Sequence, residues 1–281
     1  MENAPVEFRK RREIGEVITA SFDFLRSEWK PLLKLTVIYV LPFILALAVV
    51  QVFIQIKLTG AIQFLNEMEP ERLLREIGPI YLNLFIMMFF NLFVQSLYVA
   101  AIYSYIHLYI EKGRGNFSIA EVSQLLFSNS LMAFIANLLF AGMFMIGLLF
   151  CILPGIYLAN SLSLAVMIFL FEKRGLGYSF SKSWYLVKQQ WWNTLALNLL
   201  GLIILWMVNL VFSIPAMLTG ISSLFSGAGD GVPAEFPNWY WVLTGMAQAA
   251  TSLVMVVSYV FIAFQYFNLE EQQKTSLPNI R

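Results

Sequence analysis

The chain has 281 residues, of which 59% are apolar and 12% are charged, whereas soluble domains have about 45–50% and about 25%. The charges gather in short stretches and leave long apolar runs free of them, which is typical of a chain that has lipid as its solvent. A net charge of +1 excludes a global field for nucleic acid or an acidic substrate. The composition therefore predicts an all-α polytopic membrane protein that contacts the lipid bilayer and no nucleic acid.

The first predicted element is an amphipathic helix that follows a basic cluster at 9–12. Its apolar residues recur every three or four positions, which is the spacing of one helical face. They are Ile14, Ile18, Phe22, Leu25 and Trp29. We expect this helix to lie in the headgroup region with Trp29 at the boundary; a soluble helix packed on a partner would have the same pattern. Pro31 is predicted to end it and to begin the first span.

Six apolar segments have roughly the length that a helix needs to cross a hydrocarbon core of about 30 Å. They are predicted at 35–56, 79–110, 131–152, 156–171, 194–218 and 242–267, with a weak amphipathic segment at 118–127 before the third. Pro42 and Pro215 predict bends. Pro154 and Gly155 predict a tight hairpin between the third and fourth spans, because proline lacks an amide donor and glycine tolerates positive φ. Polar loops are predicted at 57–78 and 219–238.

The distribution of Lys and Arg predicts the orientation. Of the 18 basic residues, only Lys57, Arg72 and Arg75 fall on the side opposite the termini. The positive-inside rule then places both termini in the cytoplasm, as expected for a multi-pass protein of the cytoplasmic (inner) membrane. The predicted parts are a cytoplasmic N-terminal segment with its interfacial helix (1–30), a six-helix transmembrane domain (31–268) and a cytoplasmic tail (269–281). A second interfacial helix on the same side is indicated by a further apolar stripe, Phe180, Trp184, Val187 and Trp191.

The sequence also contains the signs of an internal repeat. Ser21 precedes Trp29 as Ser183 precedes Trp191, and both segments lead directly into a span. The residues at 14–17 also resemble those at 119–122, which lie before the third span. These matches predict three parallel units, each an interfacial helix followed by an outgoing and a returning span. The alternative is that any helix that enters a membrane has such a composition.

One stretch resembles a known family. It comprises Leu153-Pro154-Gly155-Ile156-Tyr157-Leu158, then Ser179-Phe180-Ser181-Lys182-Ser183-Trp184, then Trp191-Trp192. Over about residues 110–200 the chain resembles the membrane domain attached to some bacterial glycerophosphodiester phosphodiesterases and related stand-alone multi-pass membrane proteins. The resemblance implies a bacterial multi-pass helical domain, and it brings no catalytic residues to carry over.

The residue types that carry catalysis are scarce. His107 is the only histidine and Cys151 the only cysteine, so neither a histidine cluster for a metal nor a disulfide can form within the chain. No glycine-rich phosphate loop or nucleophile elbow is present. We expect no enzymatic activity and no cofactor. The polar candidates inside the spans are Asn91, Gln95, His107 and Asn160. They could line a path for a solute, or they could form interhelical hydrogen bonds, which contribute about 0.6 kcal/mol each.

The sequence thus predicts a non-enzymatic integral membrane protein, with three possible roles. The first is an envelope scaffold or accessory subunit that binds other membrane proteins, because catalytic and ion-coupling residues are lacking. The second is a transporter or lipid-handling protein, because amides lie within the spans. The third follows from the family resemblance and is a regulatory domain that acts on a separately encoded phosphodiesterase.

Overall fold

The computed structural model describes residues 5–65, 70–225 and 238–276, and within these ranges it contains only helices and short connections. The helices are α1 (Ile14–Tyr39), α2 (Leu41–Leu65), α3 (Pro70–Lys112), α4 (Ile119–Phe150), α5 (Ile152–Ser161), α6 (Ala165–Glu172), α7 (Leu176–Gln189), α8 (Trp191–Phe225) and α9 (Asn238–Ser276). Five helical stretches in the described ranges are long and apolar enough to cross a membrane, and six if α1 and α2 form one broken span. The predicted all-α polytopic class is therefore confirmed.

The starts of α1 and α4 are capped in the same way. Ser118 Oγ accepts a hydrogen bond from the Glu121 amide at 3.3 Å, and Glu121 Oε1 accepts one from the Ser118 amide at 3.1 Å. At α1, the Glu13 amide donates to Glu16 Oε2 at 3.1 Å. Such bonds satisfy amide groups that have no partner within the first helical turn. The amphipathic segment predicted at 118–127 is therefore not separate from the third span, because both belong to the continuous helix α4.

Of the two predictions about proline in the first span, the one for Pro31 is wrong, and the bend predicted at Pro42 is matched by a bend of 56° between α1 and α2. Pro31 does not end the first helix but lies inside α1, which continues to Tyr39. The break follows at Val40, two residues before Pro42. Proline has no amide hydrogen for the carbonyl four residues earlier and clashes with it, so Pro42 accounts for the break at this point. The bend predicted at Pro215 falls outside the residues whose side chains are described.

The turn between the third and fourth spans lies earlier than predicted. The helix break is at Cys151, which has extended backbone angles of φ 174° and ψ 161°. Pro154 and Gly155 instead lie in the first turn of α5, where a missing amide hydrogen removes no helical bond. Gly155 lets α5 approach α4 closely, because a Cβ at this position would lie 2.7 Å from Leu148 Cδ2. A Cβ at Gly147 would lie 2.9 Å from Gly155 Cα. Small residues permit such close helix contacts in membranes.

The predicted loops are shorter than expected. In the region 57–78, α2 continues to Leu65 and α3 begins at Pro70, so only 66–69 lie outside the described residues. In the region 219–238, α8 continues to Phe225, and 226–237 lie outside them. The polar tail continues α9 to Ser276. The limits predicted at 30/31 and 268/269 thus fall within α1 and α9, and the assignment of compartments to these parts stays a prediction.

The chain divides into two compact units. The first comprises Met1–Val40, Gln95–Ile203 and Met255–Arg281. Its core contains fully buried aliphatic and aromatic side chains, among them Phe24, Leu35, Ile106, Leu126, Met167 and Phe264. The N-terminal residues close onto this core. Phe8 is buried against Phe24, Tyr109, Phe264 and Phe267, with ring centroids 4.2 to 5.9 Å apart.

The second unit comprises Leu41–Val94 and Ile204–Val254. Ile44 and Leu47 are fully buried, and the rings of Phe43 and Phe93 meet edge to face at 6.1 Å. Many of its large apolar side chains are exposed, including Val49, Tyr81, Phe85 and Val211. Hydrocarbon would cover such side chains in a membrane, so their exposure fits a lipid-facing surface.

Burial supports the predicted three-unit repeat. When Ser21 is aligned with Ser183, five of the eight buried positions of α1 coincide with buried positions of α7 and α8. The pairs are Val17 with Ser179, Ser21 with Ser183, Phe24 with Leu186, Leu32 with Thr194, and Leu35 with Leu197. When Ile14 is aligned with Ile119, the buried residues of α4 at 122, 126, 129 and 133 match those of α1 at 17, 21, 24 and 28.

The returning spans of the three units are also more buried than the outgoing spans of the second and third units. The apolar windows of α3, α5–α6 and α9 are 44%, 44% and 39% buried. Those of α4 and α8 are 17% and 11% buried. This alternation follows the order expected of three repeated hairpins.

Candidate functional site

The fourth span is broken at 162–164, between α5 and α6, and the break is surrounded by polar side chains. Asn160 Nδ2 donates to the Trp191 carbonyl at 3.0 Å, and Asn160 Oδ1 accepts from Asn198 Nδ2 at 2.9 Å. Ser183 Oγ donates to the Ser161 carbonyl at 2.9 Å. Asn160 and Ser161 are buried, so these bonds satisfy polar groups that lipid could not. Asn160 thus joins α5 to the start of α8.

Gln95 of α3 also joins two helices through a hydrogen bond of its side chain. Its Oε1 accepts a hydrogen bond from the Tyr259 hydroxyl at 2.6 Å, which joins α3 to α9. Other amides join helices in the same way. Asn129 Nδ2 donates to Ser104 Oγ at 2.9 Å, Asn137 Nδ2 to Ser96 Oγ at 2.8 Å, and Gln265 Nε2 to Thr194 Oγ1 at 3.0 Å. These four amide side chains of the first unit and that of Asn160 therefore meet polar groups of neighbouring helices.

Of the other two predicted candidates, His107 belongs to the first unit and Asn91 to the second. His107 is half-buried near the end of α3, with Nε2 3.5 Å from Glu111 Oε2 and its ring edge to face with Phe171 at 5.3 Å. Asn91 is half-buried and belongs to the second unit. Within the first unit, Gln95, His107 and Asn160 each have a different partner. Whether the candidates form a solute path stays a prediction.

A buried ion pair at the end of the bundle was missed from the sequence. Glu28 Oε1 lies 2.7 Å from Arg114 Nε, and Glu28 Oε2 accepts a hydrogen bond from the Tyr105 hydroxyl at 2.6 Å. The Glu28 side chain is 4% exposed, whereas that of Arg114 is 34% exposed. Arg114 also donates to the Ser27 carbonyl at 3.1 Å. The ion pair therefore fastens the α3–α4 connection to α1. The sequence could have indicated that Glu28 is buried, because it lies four residues from both Phe24 and Leu32 and thus on the same helical face.

A second charged cluster centres on Lys182 of α7. Its ammonium group pairs with Glu172 and lies 3.3 Å from Glu270 Oε1. The hydroxyl of Tyr266 donates to Glu172 at 2.8 Å, and that of Tyr178 at 2.9 Å. Burial alone would lower the pKa of Lys182, but the two carboxylates outweigh burial and raise it above its ordinary value of 10.5. Lys182 therefore links α7 to the end of α6 and to α9 as a permanent cation.

A chain of amides fastens the N-terminal residues to α9 and to Gln190, which lies between α7 and α8. The Arg12 amide donates to Asn268 Oδ1 at 2.7 Å, and Gln272 Nε2 donates to the same oxygen at 3.2 Å. Gln190 Nε2 then donates to Gln272 Oε1 at 2.9 Å. Beside this chain lies an open polar cleft of about 630 Å³. Its lining includes Arg11, Arg12, Glu13, Glu16, Gln190, Asn193 and Gln272.

The comparisons with known proteins give no family. No family model matches the chain, no curated protein matches it, and no solved structure matches it. The resemblance to the membrane domain of glycerophosphodiester phosphodiesterases therefore stays a prediction. Among the described residues, no group of three or more His, Cys, Asp or Glu side chains could hold a metal ion.

Proposed function

We propose that this integral membrane protein is a non-enzymatic envelope scaffold or accessory subunit, with both termini in the cytoplasm. One observation carries the proposal: five amide side chains of the first unit are joined to groups of neighbouring helices. Asn160 binds the Trp191 carbonyl and Asn198, and Gln95 binds Tyr259. Polar groups used in this way hold helices together and are not directed at a solute.

The open cleft beside the N-terminal residues supplies a surface for a partner. It combines cationic, anionic and amide side chains, which is the polar composition found at the rim of many protein interfaces. Arg11 is exposed and has no ion pair with any described residue, so its charge is available to a partner. The buried Glu28 ion pair and the partly buried Lys182 cluster lie in the same unit and favour a preformed surface. A preformed surface lowers the entropy cost of association.

Affinity purification from mild detergent tests this proposal. We expect a second membrane protein to be recovered in fixed proportion to the chain at low and high expression. The substitution R11E should reduce this recovery. K188E makes the same charge change at an exposed residue outside the cleft lining, and it should leave recovery unchanged. A chain recovered alone at every expression level would contradict the scaffold role.

The broken fourth span favours a second candidate, a transporter or lipid-handling protein. Broken helices line the substrate site in many transporters, and Asn160 lies two residues before the break at 162–164. Vesicles that contain the purified chain should then move a solute or a labelled lipid. The double substitution N160L/N198L separates the roles, because it removes both partners of one amide pair. Under the scaffold proposal the variant still recovers its partner, whereas a transport site would lose flux.

A further inference from the structure

One exposed face of α1 carries a row of three cations. Arg26, Lys30 and Lys34 are four residues apart, so they follow one another along the helix at a rise of about 6 Å. All three are exposed, and none forms an ion pair with a described residue. Lys30 Nζ lies 5.8 Å from the centre of the Trp29 ring. The three cations therefore have no anionic partner within the described part of the chain.

Large apolar side chains lie beside these cations and are also exposed. They are Phe22, Trp29, Leu33, Val37 and Ile38. This face differs from the buried face of α1, which contains Val17, Phe24 and Glu28. Water alone would leave the apolar side chains unfavourably exposed, and hydrocarbon alone would leave the cations without counter-charge. An interface between hydrocarbon and anionic headgroups satisfies both groups.

The positions that the predicted repeat aligns with these cations are exposed and, apart from Lys188, apolar. In the register that aligns Ile14 with Ile119, the three positions correspond to Leu131, Ile135 and Leu139, all exposed. In the register that aligns Ser21 with Ser183, they correspond to Lys188, Trp192 and Ala196, also exposed. Only α1 has a basic residue at all three positions. The row of cations is thus a specific property of the first unit.

We propose that this face of α1 binds anionic lipid headgroups, with the three cations on the lipid phosphates and the adjacent apolar side chains in the upper hydrocarbon. The binding surface is distinct from the polar cleft that would take a protein partner. A basic residue near an anionic lipid surface strengthens binding by about fivefold. Three such residues therefore give a preference for anionic over zwitterionic lipid of up to about 100-fold, which salt reduces.

Quenching of Trp29 fluorescence by brominated lipids tests the proposal on the full chain in vesicles. Brominated phosphatidylglycerol is compared with brominated phosphatidylcholine at equal mole fraction. The Trp29 signal is obtained by subtracting the spectrum of the W29F variant. The test variant is R26Q/K30Q/K34Q. The matched control is K10Q/K173Q/K188Q, which removes the same charge from exposed residues that do not form a row on one helix.

We expect phosphatidylglycerol to quench Trp29 at least tenfold more effectively per lipid than phosphatidylcholine in the wild type and the control. The test variant should show no preference, and high salt should abolish the preference of the wild type. Equal quenching by both lipids in the wild type would overturn the proposal. If neither lipid quenches Trp29 and light scattering shows a dimer, a second copy of the chain covers this face and the lipid proposal is wrong. Competition by soluble inorganic phosphate would assign the cations to a soluble anion. If the test variant does not fold, the salt series on the wild type decides alone.

Discussion

Replacing Arg114 by glutamine tests the buried ion pair of α1. Glu28 is almost completely buried, and without Arg114 its carboxylate keeps only the hydrogen bond from Tyr105. Removing one partner of a buried pair costs about 3–5 kcal/mol. Arg114 is a third exposed, so R114Q should lower the free energy of unfolding by about 3 kcal/mol, at the lower end of this range. E28Q should cost only about 1 kcal/mol, because glutamine still accepts from Tyr105 and water can solvate the partly exposed arginine.

The double variant E28Q/R114Q gives the decisive comparison. It contains no uncompensated buried charge, so it should be more stable than R114Q alone by about 1–2 kcal/mol, although it carries one more substitution. Stability is measured by titration with sodium dodecyl sulfate in mixed micelles, followed by circular dichroism and tryptophan fluorescence. Moderate salt should change these differences little, since screening acts weakly on a buried pair. The reasoning is refuted if the costs of the two single substitutions simply add in the double variant.

Three further predictions follow from other contacts. G147A should destabilise the protein by about 1–3 kcal/mol because its Cβ would lie 2.9 Å from Gly155 Cα; G142A on the same helix has open space around its Cβ and should cost nothing in the same titration. K182M should cost about 1–2 kcal/mol near neutral pH, since the carboxylates lose their cation. Because the folded-state pKa of Lys182 is raised, its contribution to the free energy of unfolding is complete below pH 10.5. The difference in this free energy between K182M and the wild type should shrink as pH rises through the folded-state pKa. A difference that grows there would contradict this sign. Reporter proteins fused to the two termini should be active in the same cytoplasmic compartment, and opposite compartments would exclude an even number of crossings.

The sequence predicted the spans well because hydrophobicity and length are properties of the linear chain. Runs without charge indicate which segments hydrocarbon can surround, whatever they pack against. The same reasoning predicted that proline would interrupt the first span, and the break at Val40 lies beside Pro42. It was wrong about Pro31, because a proline in a membrane helix can be accommodated when neighbouring groups satisfy the freed carbonyl.

The buried face of α1 could not be predicted with the same certainty. The stripe of Ile14, Ile18, Phe22, Leu25 and Trp29 has helical spacing, yet Phe22 and Trp29 are exposed. The buried residues lie on another face, which includes a carboxylate. Apolar side chains are favourable both against lipid and against protein, so their period does not reveal which face a neighbouring helix covers.

The sequence by itself determined that the chain crosses a membrane several times and approximately where each crossing lies. Only the tertiary structure decided which polar groups meet: Glu28 with Arg114, Asn160 with Asn198, and Lys182 with Glu172 and Glu270. The physical reason is that transfer into hydrocarbon depends on each residue's own surface, whereas a hydrogen bond or ion pair depends on the position of a partner that is distant in the chain.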